Sequence, residues 1–129
     1  MPTQIDYEII KISPIESNII DYATIIFKLH LHNTISVENS NELNYHLKTM
    51  IDGGALKLLI DMKTLQSIDS SGIGILINTA KKLRTTDGDI VLANVSSEIK
   101  NIFKTINLQN FIKIFNTDAE AENHFRYIK

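Results

Sequence analysis

Two stretches near the start of the chain have the hydrophobic pattern of β-strands. Apolar residues occupy every second position from Ala23 to Leu31. A period of two predicts a strand with one well-buried face. The isoleucine-rich stretch from Ile5 to Ile12 precedes it and ends at Ser13-Pro14, so we expect a first strand there that pairs with its neighbour.

After Asn33 the apolar residues recur at helical spacing. A helix is predicted over residues 37 to 52, ending at the Gly53-Gly54 pair, where a left-handed C-cap is expected. The apolar residues of this helix are Leu43, Leu47, Met50 and Ile51.

The middle of the chain predicts a buried strand followed by a helix. The nearly continuous apolar run from Leu56 to Met62 is typical of a strand covered on both faces, and Asp61 is predicted to cap a turn over Met62 to Leu65. A helix is expected from about Ser71 to Thr86, with three cations near its C-terminus, where the helix dipole favours them. Those cations are Lys81, Lys82 and Arg84.

The last third of the chain predicts two further strands and two helices. Asp89 to Ala93 indicates a buried strand, Ser96 a helix N-cap, and Phe111 to Phe115 a short edge strand. Thr117 and Glu120 have the spacing of a capping box. The expected core residues of the two helices are Ile99, Ile102, Phe103 and Ile106, then Ala121, Phe125 and Ile128.

This order of elements predicts an α/β fold with a mostly parallel central sheet of about five strands and about four helices. The 129 residues fit one domain, so residues 1–129 are expected to share a single core. A formal net charge of -2 gives no broad basic field for nucleic acid or anionic membrane. The absence of cysteine favours a reducing compartment, and no signal peptide or membrane span is recognisable, so the cytoplasm is the expected location.

The turn Asp69-Ser70-Ser71-Gly72-Ile73-Gly74 is the candidate functional segment. It joins a central strand to a helix at the edge where open α/β sheets bind ligands and partners. In one interpretation Asp69 or Ser70 only caps the helix, and the two glycines allow close packing on the sheet. In the other, the two glycines are present although glycine in the first turns of a helix costs stability. Their presence then indicates that a partner must approach the backbone closely.

Other polar residues are interpreted as structural. His30 and His32 share one strand face but lack a third metal ligand, and they are expected to face solvent. His46 and His124 lie on predicted helices away from any nucleophile and base pair, so hydrolase chemistry is not expected. The chain also lacks a phosphate-binding loop motif, which leaves an enzyme or a nucleotide-binding regulator with little support.

The strand Leu59-Ile60-Asp61, followed by Ile68 and the serine turn, resembles the signature of the STAS family, the anti-sigma factor antagonists. The resemblance continues through Ile90 to Val95 and Ile99 to Ile106. It implies a single STAS-like domain with no catalytic machinery and no cofactor of its own. It also implies that Ser70 is the phosphoacceptor, Asp69 its acidic neighbour and Gly72 the required small residue.

The resemblance further implies partner switching. The unphosphorylated form is expected to bind an anti-sigma factor that is itself a serine kinase and so free a sigma factor, and phosphorylation of Ser70 is expected to reverse binding. ATP and Mg²⁺ would belong to the kinase, and a metal-dependent serine phosphatase of the PPM type would restore the binding form. No nucleic acid or membrane partner is expected. The expected contact residues are Asp69, Ser71, Gly72, Ile73 and Gly74, with Asn33, Thr34 and Ser36 from the loop after the neighbouring strand.

Two expectations concern details of this switch. The helix N-terminus should stabilise the phosphate through its free N–H groups and dipole, with little change in the backbone. The family commonly has a glycine after the second strand, where this chain has Leu31-His32-Asn33. The alternative is a constitutive adaptor subunit of a transporter or signalling complex, in which Ser70 is only a cap.

Overall fold

A computed structural model describes residues 5–11 and 25–126. Five strands and four helices alternate in the predicted manner, and one short 3₁₀ turn precedes the last strand. The strands are β1 (Ile5–Lys11), β2 (Ile25–Ile35), β3 (Lys57–Ile68), β4 (Asp89–Ala93) and β5 (Lys113–Phe115). The helices are α1 (Ser40–Asp52), α2 (Ser70–Arg84), α3 (Ser97–Thr105) and α4 (Asp118–Arg126), and the 3₁₀ turn is Leu108–Asn110.

The five strands form one sheet in sequence order, β1-β2-β3-β4-β5. β1 runs antiparallel to β2, and the other three pairs are parallel. The α/β fold, the strand count and the helix count predicted from the sequence are therefore confirmed. The predicted parts of the first two strands at Ile12, Ala23 and Thr24 lie outside the described residues, as does Ile128.

Helices cover both faces of the sheet. The larger core lies on one face, where α1, α2 and α3 pack, and its fully buried members include Leu47, Leu76 and Phe103. The smaller core lies on the opposite face, where Ala121 and Phe125 of α4 pack on the strands. Successive residues of β3 alternate between the two cores, which explains its nearly continuous apolar sequence. No helix in residues 5–11 and 25–126 is long and apolar enough to cross a membrane.

β2 and β3 continue as a pair beyond the rest of the sheet. The β3–β4 pairing ends at Asp61 and Ala93, whereas β3 stays paired with β2 until Ile68 lies opposite Ile35. The prediction of a turn from Met62 to Leu65 was therefore wrong, because these residues belong to β3, and Thr64 and Leu65 lie opposite His32 and Asn33 of β2. Asp61 does accept a hydrogen bond from the N–H of Lys63. The extension carries the serine turn away from the body of the sheet and into solvent.

Three other local predictions were also wrong. α1 begins at Ser40 and not at residue 37, because the preceding residues form a hydrogen-bonded loop. Asn33 and Thr34 belong to β2 and not to that loop. Ile102 and Ile106 are exposed, because only Ile99 and Phe103 of α3 face the sheet. The N-cap of α3 at Ser96 and the Thr117 cap of α4 are confirmed by their hydrogen bonds to the N–H groups of Ile99 and Glu120.

Candidate functional site

Asp69 defines the start of α2. Its backbone is extended, and its Oδ1 accepts hydrogen bonds from the N–H groups of Ser71 at 3.0 Å and Gly72 at 3.3 Å. These donors have no partner within the helix, so the carboxylate satisfies them as an N-cap. The expectation that free N–H groups would receive a phosphate is thus wrong for these two, because Asp69 already occupies them.

The same carboxylate joins the serine turn to the loop between β2 and α1. Oδ2 of Asp69 accepts a hydrogen bond from the N–H of Val37 at 3.0 Å, and the N–H of Asp69 donates to the carbonyl of Ile35 at 3.0 Å. Asn39 closes the loop on itself by accepting from the N–H of Ser36 and donating to the carbonyl of Thr34. The loop and the turn therefore form one surface at the end of the β2–β3 extension.

Four hydrogen bonds keep Asp69 ionised. The hydroxyl of Ser71 holds the pKa of this carboxyl below its ordinary value of 3.8, and the N–H groups of Gly72, Val37 and Ser71 act in the same direction. No lysine or arginine forms an ion pair with Asp69 within the described part of the chain. The turn consequently presents an uncompensated negative charge next to its serines.

The two serines of the turn differ in their surroundings. Ser70 is the first residue of α2 and is exposed, and its hydroxyl makes no hydrogen bond to any residue that the structure describes. Ser71 is half-buried, and its hydroxyl donates to Oδ1 of Asp69 at 2.5 Å. An incoming reactant can therefore reach the hydroxyl of Ser70, whereas that of Ser71 is engaged.

The two glycines of the turn also differ. A Cβ at Gly72 would lie 2.7 Å from Cγ2 of Ile35 and 2.8 Å from Cγ1 of Ile68, so this position must be glycine for the helix to pack on the extension. A Cβ at Gly74 would meet no heavy atom within 4 Å. Close packing therefore explains why position 72 is glycine. No contact within the described residues requires a glycine at position 74, where the helix backbone is exposed.

Most of the other expected contact residues lie around this turn. Ile73 is buried beneath it, so only its edge is accessible. Ser36 lies in the loop, and Thr34 pairs with Ser67 on the extension. Asn33 lies further down, opposite Leu65, and its φ of 61° is the left-handed conformation that glycine would otherwise supply.

Sequence reasoning missed Val37. Its side chain is 72% exposed while its N–H is fixed by Asp69. From the sequence alone, an exposed valine in a polar loop could not be distinguished from a core valine of the helix that was expected to begin at residue 37. Its attachment to Asp69, the residue before Ser70, makes it the apolar member of the surface.

The residues interpreted as solvent-facing also require correction. His30 and His32 are only about a quarter exposed, and they bind carboxylates and Thr64 on β1 and β3. Asp61 is buried and binds His30 and Asn94. Among residues 5–11 and 25–126, no group of three histidine, aspartate or glutamate side chains is arranged to hold a metal ion.

The fold and the turn define a single-sheet α/β domain with an exposed serine at the start of a helix. A model of the STAS domain family matches residues 17–121, and the chain belongs to this family. It is 26% identical to BtrV of Bordetella bronchiseptica, a candidate anti-sigma factor antagonist, over 85 residues that make up 66% of this chain and 71% of BtrV.

Solved structures show the same fold. A candidate anti-sigma factor antagonist from Thermotoga maritima superposes with a TM-score of 0.79 at 20% identity and covers 95% of this chain and 94% of its own. The anti-sigma factor antagonist SpoIIAA in its unphosphorylated form gives 0.67 at 17% identity, covering 95% and 100%. SpoIIAA of Bacillus in the phosphorylated form gives 0.63 at 16% identity, covering 92% and 98%. At these identities the likeness establishes the fold alone.

Proposed function

We propose that this protein is an anti-sigma factor antagonist whose partner binding is controlled by phosphorylation of Ser70. The observation that carries the proposal is the contrast within the turn, where Ser70 is exposed and unbonded while Ser71 donates to Asp69. Membership of the STAS family and the description of BtrV support the class of function. SpoIIAA, which has the same fold, exists in unphosphorylated and phosphorylated forms.

The partner is an anti-sigma factor that is also a serine kinase. The Oγ of Ser70 attacks the γ-phosphorus of ATP bound to the kinase, ADP leaves, and the hydroxyl proton passes to a base of the kinase. The antagonist is thus a substrate without a catalytic role, and ATP with Mg²⁺ belongs to its partner. A metal-dependent serine phosphatase of the PPM type removes the phosphate, and the exchange takes place in the cytoplasm.

Electrostatics explains why the phosphate ends binding. Phosphorylation adds about 1.5 to 2 negative charges at pH 7. These charges join the ionised Asp69 on a surface that has no lysine or arginine paired to it among the described residues. Docking would have to remove both groups from water, and a like-charge contact across a desolvated interface costs several kcal/mol. The unphosphorylated surface, with Val37 and the open backbone at Gly74, is the form that binds.

The phosphate need not change the fold. Asp69 holds the first turn of α2 and the Val37 loop with its own oxygens, so these elements do not depend on what is attached to Ser70. The switch is therefore a change in surface charge on a preformed site.

Mapping of the phosphorylated residue tests the proposal. Incubation with the cognate kinase and ATP, followed by mass spectrometry, should place one phosphate on Ser70. The Ser70→Ala variant should accept none, and the matched Ser71→Ala variant should still be modified at position 70. Unchanged phosphate incorporation in Ser70→Ala contradicts the proposal, and stable assembly of Ser70→Asp with the partner points to the constitutive adaptor.

A further inference from the structure

Two histidines of β2, His30 and His32, lie on the sheet face that α4 leaves open, and each contacts both β1 and β3. Each histidine with its two contacts is called a rung. The rings of His30 and His32 are stacked with centroids 6.4 Å apart and an interplanar angle of 11°. In each ring Nδ1 contacts a residue of β3 and Nε2 contacts a carboxylate of β1. The pair therefore connects three strands and fastens the edge strand β1 to the sheet.

The rung of His30 places a carboxylate at both ring nitrogens. Nδ1 lies 2.6 Å from Oδ2 of Asp61, and Nε2 lies 3.0 Å from Oε1 of Glu8. Neutral imidazole has one N–H donor, whereas the imidazolium ion has two. Oδ1 of Asp61 accepts from the side-chain amide of Asn94 and the N–H of Lys63, and a carboxylate can only accept, so Oδ2 faces the ring as an acceptor. Both contacts are hydrogen bonds only when His30 carries both protons.

The rung of His32 has no such requirement. Its Nδ1 contacts the hydroxyl of Thr64, and its Nε2 lies 2.9 Å from Oδ2 of Asp6. A hydroxyl both donates and accepts, so neutral His32 can accept from Thr64 and donate to Asp6. The two rungs have the same shape, and they differ in their need for a second proton.

We infer that His30 is a proton-binding site that fastens β1 to the sheet through Glu8. When the proton leaves, the remaining N–H stays with Asp61, and the lone pair of Nε2 then faces the carboxylate of Glu8. The contact between two acceptors is repulsive, and Glu8 has another cation available in Lys28, whose Nζ lies 3.6 Å from it. The link to β1 is thus present while the ring carries both protons and is lost when one of them leaves.

Several charged and titratable groups lie around His30 and its partners. The titratable and charged groups that face it or its partners are Glu8 and Asp6 of β1, Lys28 and His32 of β2, Asp61 and Lys63 of β3, and Asp118 and Glu122 of α4. Lys28 is held by Asp118 at 2.6 Å, so it remains charged next to Glu8 in either state of the ring. This site is separate from the serine turn and does not depend on the function proposed there.

The responding element is the edge strand. Among the described strands β1 pairs with β2 alone, and its Tyr7 and Ile9 are 55% and 60% exposed on the opposite face. Loss of the Glu8 contact should therefore raise the frequency with which β1 opens, while the core strands β3 and β4 stay closed.

Amide hydrogen exchange across a pH series, expressed as protection factors, tests this inference. In the wild type, the protection factors of the β1 amides bonded to β2 should fall about fivefold as the pH rises, which is the size expected for the loss of a half-exposed ion pair. The loss should coincide with the loss of the second ring proton of His30, followed by its ¹⁵N shifts. Protection in β3 and β4 should not change.

Two matched variants separate the rungs. Glu8→Gln should remove the transition, because the glutamine amide can donate to neutral Nε2 or accept from the imidazolium ion. Asp6→Asn, which alters the rung of His32, should keep it. The inference is overturned if protection of β1 in the wild type is independent of pH, if the transition persists in Glu8→Gln, or if it follows the ring of His32.

Discussion

The hydroxyl of Ser71 donates to Oδ1 of Asp69 at 2.5 Å, and this contact distinguishes two adjacent serines that look alike in the sequence. Ser71 becomes part of the helix cap. Ser70, one residue earlier, keeps an exposed hydroxyl with no partner in the described residues. The carboxylate that caps α2 thereby also determines which hydroxyl is free for chemistry.

The two glycines of the turn should respond differently to alanine. Gly72→Ala should lower the free energy of unfolding by about 1 to 2 kcal/mol, because overpacking against Ile35 and Ile68 outweighs the gain in helix propensity. Gly74→Ala is the matched control and should raise it by up to about 1 kcal/mol, since its Cβ meets open space. Urea unfolding measures both values, and equal effects would contradict this account of the turn.

Val37 should contribute to partner affinity and not to stability. Val37→Ser removes an exposed apolar side chain from the loop that Asp69 holds against the serine turn, and it should weaken binding to the anti-sigma factor at least about fivefold, as expected for a central interface residue. Ile106→Ser provides the control, because Ile106 is also exposed but follows the C-terminal end of α3. Calorimetric titration should find its affinity unchanged, and similar losses in both variants would refute a role for Val37.

The cap at Asp69 should stabilise the fold in a pH-dependent way. The folded pKa of this carboxyl lies below its ordinary value of 3.8, so its contribution is present at neutral pH and is lost as the pH falls through the folded pKa. Asp69→Ala should therefore melt at a lower temperature than the wild type at pH 7, and the difference should shrink in acid. Asp69→Asn retains an acceptor without a charge, so its melting temperature should fall less below that of the wild type at pH 7. This smaller difference should also shrink in acid, because the wild-type carboxylate then loses its charge.

The free energy of unfolding should respond differently to the loss of Lys28 and to the loss of Asp118, its ion-pair partner. Lys28 has a side chain only 6% exposed, and it binds Asp118 at 2.6 Å. Burial lowers the pKa of Lys28, but the hydrogen bond and the charge of Asp118, with Glu122 and Glu8, outweigh it and raise the pKa. The hydrogen bond from Lys28 lowers the pKa of Asp118 in turn.

Asp118→Ala should cost about 1 kcal/mol of unfolding free energy, because it leaves the ammonium group buried with more distant partners. Lys28→Met should cost less, since Asp118 is 42% exposed and water can solvate it. The cost of Asp118→Ala should be present at neutral pH and disappear as the pH falls through the folded pKa of Asp118. Unfolding titrations at pH 7 and pH 3 check both statements, and a larger loss in Lys28→Met would contradict them.

The sequence predicted the order of elements because its hydrophobic periods are strong. β4 was predicted with the observed bounds from Asp89 and the four apolar residues that follow it, and the caps at Ser96 and Thr117 followed from local hydrogen-bonding chemistry. The long extension of β2 and β3 was not predictable, because its polar residues on β3, such as Lys63 and Gln66, resemble a loop. Their strand conformation comes from pairing with a distant segment.

The site was predictable as a segment but not as a surface. The motif located the serine turn, whereas the attachment of Val37 to Asp69 joins residues 32 positions apart and has no local signal. The same holds for His30, which appeared solvent-facing because its carboxylate partners lie on two other strands. In both cases the environment of the residue depends on contacts between distant elements, which the local sequence does not reveal.

The affinity of the anti-sigma factor kinase for the unmodified and the Ser70-phosphorylated protein, compared by calorimetry at one ionic strength, tests the central claim most directly. The account predicts that one phosphate at Ser70 weakens binding at least about 30-fold, which corresponds to about 2 kcal/mol. Equal affinity of the two forms would contradict it.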